Sequence, residues 1–246
     1  MTSKKAFKAK TYMPGYPVHP KNPGAYHMAE GEPEEEPDEE EAPNTTTKQS
    51  PFSMWAKKSD ELFFKNRSVY LWGGVDDTSA KDVVNRLLLL DDDKPGEEIK
   101  FYINSPGGVV TSGMVVFDVM QMLQSPVSTI CMGLAASMGS ILLAGGTKGK
   151  RYIFPHGEVM IHQPSLGGYV QGVSADLEIH AVQIRKTKEM GARILSEATG
   201  QAYERVLRDL ERDYWMDAKE ALEYGIVDAI WDPKGGAAPT TSKKGK

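Results

Sequence analysis

Val127-Ser-Thr-Ile-Cys-Met-Gly-Leu-Ala-Ala-Ser-Met-Gly139 is the stretch on which the fold turns. Its first part, Val127 to Met132, is a short apolar run with the length and β-branched content of a buried strand. A helix-like run, Ile141 to Ala144, follows. Between them lies Gly133-Leu-Ala-Ala-Ser-Met-Gly139, which sets one serine, Ser137, among residues with almost no side-chain bulk. A serine at a strand-to-helix corner exposes its hydroxyl beside the backbone N–H groups of a helix start. Attack on a carbonyl creates an oxyanion, and nearby N–H donors stabilise it. Small residues also serve close packing, so the corner by itself leaves both readings open.

Strand and helix patterns alternate on both sides of this corner. Ser68–Trp72 reads as a strand. Asp76–Leu90 reads as a helix, with Asp76, Asp77 or Thr78 as its cap and Val83, Val84, Leu87, Leu88 and Leu90 on its apolar face. Asp91-Asp-Asp-Lys-Pro-Gly96 is expected to break it. Ile99–Asn104 is a strand, Ser105-Pro-Gly-Gly108 a tight turn, and Val109–Leu123 a helix. Strands are expected at Lys150–Phe154 and Glu158–His162, then a Gly-rich ribbon or loop over Leu166–Val173. A long helix runs from Ser174 to Thr199 and ends at Gly200; another spans Ala202–Leu210. Asp217-Ala-Lys-Glu220 reads as a capping box for a short helix closed by Gly225, and Ile226–Trp231 as the last strand. This order implies an α/β fold with a largely parallel sheet. Chemistry in such sheets collects at the carboxyl ends of the strands. Asn104–Gly108, Ala135–Gly139 and Met160–Pro164 converge there.

The ends differ in kind. Residues 1–51 show little apolar periodicity, recurrent prolines and an almost unbroken acidic run from Glu30 to Glu41. Such a segment buries too little apolar surface to offset its ordering entropy and is expected to be disordered. The Gly-, Ala-, Pro- and Lys-rich tail, 233–246, reads the same way. One domain of about 180 residues remains, 52–232. The net charge is −5, of which residues 1–50 carry −3. With no large basic field, nucleic acid is not the expected partner. The single cysteine, Cys131, cannot form an intrachain disulfide and reads as a buried filler, in keeping with a reducing compartment. No apolar run has the length to span a bilayer, and the N-terminus lacks the apolar core of a secretory signal.

A serine hydroxyl needs a base within hydrogen-bond reach, and the base needs an acid to orient it. Of five histidines, His19 and His27 lie in the head, and His156 and His180 read as solvated. His162 closes the apolar strand Val159-Met-Ile161 next to the corner and is the candidate base. Amides at Gly108 and Met138 are candidate oxyanion donors. Gly107 and Gly108 allow a close backbone approach. With 34 Asp and Glu residues, spacing does not single out the acid.

These segments in this order resemble the ClpP family, the proteolytic subunits of Clp proteases. The likeness runs through Phe101-Tyr-Ile-Asn-Ser-Pro-Gly-Gly108, Val127–Gly133, Ala135-Ala-Ser-Met-Gly139, Gly146-Thr-Lys-Gly-Lys-Arg151 and Val159-Met-Ile-His-Gln-Pro164. It continues through Glu178-Ile-His-Ala181, Glu211-Arg-Asp213, Ala218-Lys-Glu-Ala221 and Glu223-Tyr-Gly225. It implies a ClpP/crotonase-type fold of repeated strand–helix units with a protruding helix–ribbon handle. Position by position it implies Ser137 as nucleophile, His162 as general base and Asp213 as the orienting acid. Gly108 and Met138 become the oxyanion hole, and Arg212 pairs with acids across a ring–ring interface. It also implies two stacked seven-membered rings, an ATP-driven AAA+ unfoldase partner of the ClpX, ClpA or ClpC type, and unfolded chains as substrate. Neither metal nor organic cofactor is implied, ATP being used by the partner. The bacterial-type setting is the cytoplasm, with plastid stroma or mitochondrial matrix as the alternatives.

The chain departs from that pattern twice. An acidic, Pro-rich head stands where relatives carry short apolar gating loops, and is expected to screen or occupy the axial pore. Two extra residues, Ser165 and one near Val170, lengthen the stretch after His162-Gln-Pro164. A second reading is a structural ring subunit that assembles with an active paralogue; the retained Ser137, His162 and Asp213 oppose it. A third is an acyl-CoA hydratase or isomerase of the crotonase type, for which no CoA-phosphate site is evident.

Overall fold

The computed structural model describes residues 51–165 and 172–231, with side chains from residue 54. The readings placed on the head, the C-terminal tail and most of the Gly-rich stretch lie outside the described residues. Seven strands form one sheet in the order β1 (Ser68–Trp72), β2 (Ile99–Ser105), β3 (Val127–Ala136), β4 (Arg151–Ile153) and β7 (Ala229–Ile230), all parallel. β5 (Glu158–Ile161) leaves this path to pair in parallel with β3, and β6 (Tyr214–Asp217) pairs antiparallel with β5. The expectation of an α/β, largely parallel sheet is met.

Strand β2 shows why the sheet forms. Ile99, Phe101, Ile103 and Ser105 are buried while the residues between them are half-buried, so both faces are covered, as a parallel sheet requires. Strand β3 is longer than its apolar run suggests and continues through Gly133-Leu-Ala-Ala136. Its first half, Thr129–Cys131, pairs with β4, and its second half, Leu134–Ala136, with β5. The register against β2 shifts between Ile103 and Ser105, where Asn104 Oδ1 accepts the Leu134 amide at 3.2 Å. That side-chain bond replaces a ladder bond at the break. The chain can therefore change neighbours without orphaning a buried N–H.

Helix α2 (Asp77–Asp93) is capped by Asp76 and Ser79, each side chain bonded to the other's amide. It runs three residues past the expected end at Leu90. The Asp91 carboxylate accepts the Gln124 and Ser125 amides, so the acidic end is held by a neighbouring turn and the break moves to Lys94-Pro95. Beyond it the buried Arg67 guanidinium donates to the carbonyls of Lys94, Glu97 and Glu98, backbone acceptors of the connecting loop.

Helix α3 (Val110–Met122) agrees with its reading within a residue at each end. Helix α5 (Ser174–Thr199) agrees at both ends and is closed by Gly200 in the left-handed conformation. Helix α6 covers Tyr203–Asp209 and α7 Ala218–Tyr224, the latter with the expected Asp217–Glu220 capping box and Gly225 terminus. The last strand is only Ala229–Ile230. Ile226 is spent on the Gly225 turn, bonding Ala221 O, and Asp228 turns its side chain to Arg151. Two elements had not been anticipated: helix α1 (Pro51–Lys65), with proline at the first helical position, and strand β6. β6 buries only Met216 and so carries no strand-like alternation.

Candidate active site

Helix α4 (Met138–Ala144) begins at the residue after Ser137, so the serine stands at the turn from β3 into the helix. Its backbone is at φ 53° and ψ −120°, a conformation an L-residue occupies only when its surroundings impose it. Three contacts impose it. The Ser137 amide donates to Met160 O at 2.9 Å, and the Ser137 carbonyl accepts from the amide and hydroxyl of Ser140. The result turns the side chain out of the sheet toward the end of β5.

His162 follows the last residue of β5, and Asp213 precedes the first residue of β6. Ile161 and Tyr214 are partners in the antiparallel ladder. The next step outward on each strand therefore puts His162 and Asp213 side by side. Ser137 Oγ lies 2.8 Å from His162 Nε2, and His162 Nδ1 lies 3.2 Å from Asp213 Oδ1. A carboxylate only accepts, so the proton sits on Nδ1, and Nε2 is left to accept the Ser137 hydroxyl. The structure thus brings together the three residues named from the sequence. His162 is largely shielded, 24 % exposed, whereas Asp213 is 61 % exposed.

The Ser105–Gly108 turn closes the other side. A Cβ on Gly107 would stand 2.6 Å from Ser137 Cβ and 2.8 Å from the Met138 nitrogen, so only glycine permits this approach. Gly108 is held by a parallel bridge to Val75, in which Val75 N–H donates to Gly107 O and Val109 N–H to Val75 O. The Gly108 and Met138 amides have no acceptor among the described residues. Two unspent donors beside a hydroxyl that faces an imidazole can serve an acyl-transfer transition state.

An apolar cavity opens beside Ser137 and His162, lined by Val110, Met114, Ile141, Met190, Leu195 and Leu210 among others. Its chemistry suits an apolar side chain. Arg212 has no acidic partner within the described part of this chain. His156 and His180 are exposed, away from the constellation, and burial pushes the Cys131 thiol up to about 11, which suppresses its nucleophilic thiolate. Among the described residues no group of three or more His, Cys, Asp or Glu side chains is placed to hold a metal ion, and no helix is long and apolar enough to cross a membrane.

Sequence reasoning reached Ser137, His162 and the two amides, but found Asp213 only by resemblance. The signal that was missed is β6, since its pairing with β5 is what selects Asp213 among the acids. A family model described as Clp protease matches residues 53–234, well over half of the chain. That span holds the corner at Ser137, the β5–β6 pair and both arms of the sheet around them, and by it this chain belongs to the Clp protease family.

Proposed function

We propose that the chain is the proteolytic subunit of an ATP-dependent Clp-type protease, a serine endopeptidase that cuts unfolded polypeptides inside a closed chamber. The observation that carries the reading is the hydrogen-bonded line from Ser137 through His162 to Asp213. Ser137 Oγ attacks the scissile carbonyl as His162 Nε2 takes its proton. The amides of Gly108 and Met138 hold the oxyanion, and Asp213 keeps the imidazole oriented and stabilises its protonated form. His162 then protonates the leaving amine. A water, deprotonated by His162, hydrolyses the Ser137 ester and frees the enzyme. Every step uses groups of this chain, so neither metal nor organic cofactor takes part, and ATP is consumed by a partner unfoldase of the AAA+ class.

The same reading places the chain in two stacked heptameric rings, made of this subunit alone or with a paralogue. On this reading Arg212, exposed and next to Asp213 in the chain, pairs with acids of the opposite ring. The cytoplasm is the setting proposed.

A fluorophosphonate probe tests the nucleophile. Assembled full-length protein is expected to carry one adduct per subunit, on Ser137, and Ser137→Ala protein none. Assembled particles without adduct would favour the structural-subunit alternative. The head offers a separate prediction. If residues 1–50 cover the axial pore, their deletion raises turnover of a long unfolded substrate several-fold and leaves that of a dipeptide reporter nearly unchanged. Equal turnover of the long substrate by both forms, with unchanged unfoldase binding, would reject the gating role.

A further inference from the structure

We propose that Gln163 is a positioning residue that holds Asp213 in line with His162; the proposal rests on the catalytic reading above. The Asp213 carboxylate is well exposed, and His162 Nδ1 is its sole hydrogen-bond partner among the described residues. Its place is therefore set by the backbone that carries it. That backbone, Leu210–Asp213, links α6 to β6 and belongs to neither.

Gln163 grips it at two points. Its amide donates to Leu210 O at 2.6 Å, and its side-chain Nε2 donates to Glu211 O at 2.9 Å, two residues before Asp213. Gln163 is also the residue after His162. One dipeptide at the end of β5 thus presents the base and fixes the support of the acid. The segment's own amides tie only back to α6, Leu210 N–H to Val206 O and Glu211 N–H to Arg208 O, and its remaining tie is an ion pair between Lys188 on α5 and the Glu211 carboxylate. Its carboxylate is well exposed, and pairs of that kind hold position weakly. Beyond Asp213, the ladder of β6 on β5 resumes at Tyr214. Without the Gln163 side-chain amide, no hydrogen bond among the described residues would hold Glu211 or Arg212 to the end of β5, where His162 stands. A misplacement of about 1 Å at a catalytic group costs up to about a hundredfold in rate.

The test uses the full-length assembled protein and two variants that lose the side-chain bond. Gln163→Met keeps the volume without a donor, and Gln163→Asn keeps the amide one methylene short. In each, kcat on a fluorogenic peptide is expected to fall about 10- to 100-fold with KM within about twofold. The deciding readout is the rate of Ser137 labelling by fluorophosphonate with and without Asp213→Ala. If Gln163 acts through Asp213, its loss slows labelling in the wild-type background and changes it less than about twofold in the Asp213→Ala background. An equal loss in both backgrounds, or none in the wild type, overturns the proposal. So does loss of assembly by native mass in both variants, which would make Gln163 a structural residue. Absence of any adduct on wild-type Ser137 overturns the nucleophile reading, and this proposal with it.

Discussion

Ser137→Ala and His162→Ala are each expected to lower kcat by about a million-fold, and the double variant to be no worse than either single one. The reason is mutual dependence. With Nδ1–H directed at Asp213, Nε2 of His162 accepts the Ser137 proton at 2.8 Å, so the two side chains act as one device. Once either is missing the other has nothing to do. KM for a short peptide should change little, because the apolar side chains that line the cavity are untouched. Residual hydrolysis above the uncatalysed rate, roughly a thousandfold, would remain through the Gly108 and Met138 amides. Steady-state kinetics of the two single variants and the double variant decide the matter. Losses that multiply would mean that Ser137 and His162 act independently, and the acyl-transfer reading would fail.

What the sequence made legible and what it hid divide along a physical line. Local chemistry announces itself. The Asp217–Glu220 capping box, the Gly200 and Gly225 helix ends, the apolar run of β3 and the Ser137 corner each depend on residues a few positions apart, and each was found. Pairings between distant segments do not. Strand β6 buries only Met216 and takes its strand character from the edge of β5, so nothing within Tyr214-Trp-Met-Asp217 marks it. Asp213 was reached by resemblance and not from its local pattern for the same reason, because the neighbour that gives it a role lies 51 residues away. The extension of α2 past Asp91 has the same origin. Local rules count acids at a helix end as unfavourable, and the Gln124 and Ser125 amides that compensate come from another turn. Arg67 and Arg151 are the further cases, charged side chains buried by the partners that tertiary structure brings to them.

Asp228→Ala is expected to cost roughly 3–5 kcal/mol of stability, the largest single loss outside the site. Arg151 has only 4 % of its side chain exposed and Asp228 20 %. Asp228 Oδ1 and Oδ2 accept from Arg151 Nη2 and Nε at 2.6 and 2.9 Å, and Oδ2 also takes the Gly149 and Arg151 amides. Arg151 Nη1 donates to Ala198 O near the end of α5. The pair thus joins β4, β7 and the long helix at one buried point. Removing the carboxylate strands a buried guanidinium, which is the costly half of such a change. Replacing both partners, as in Arg151→Met with Asp228→Asn, should cost less than the sum of the single variants. The pair also predicts a pH dependence. Burial pushes the Asp228 carboxyl up, but the Arg151 guanidinium and the two amides outweigh it and hold the group below its ordinary value of 3.8. A carboxyl lowered on folding contributes stability that is full above its unfolded value and disappears as pH falls through its folded one. The stability gap between wild type and Asp228→Ala should therefore be constant from about pH 5 to 8 and narrow in stronger acid. Urea denaturation at fixed protein concentration across that range measures it. A gap under about 1 kcal/mol at neutral pH would place the pair with ordinary surface ion pairs; a gap that widens in acid would show that the carboxyl is raised on folding, with the opposite sign of linkage.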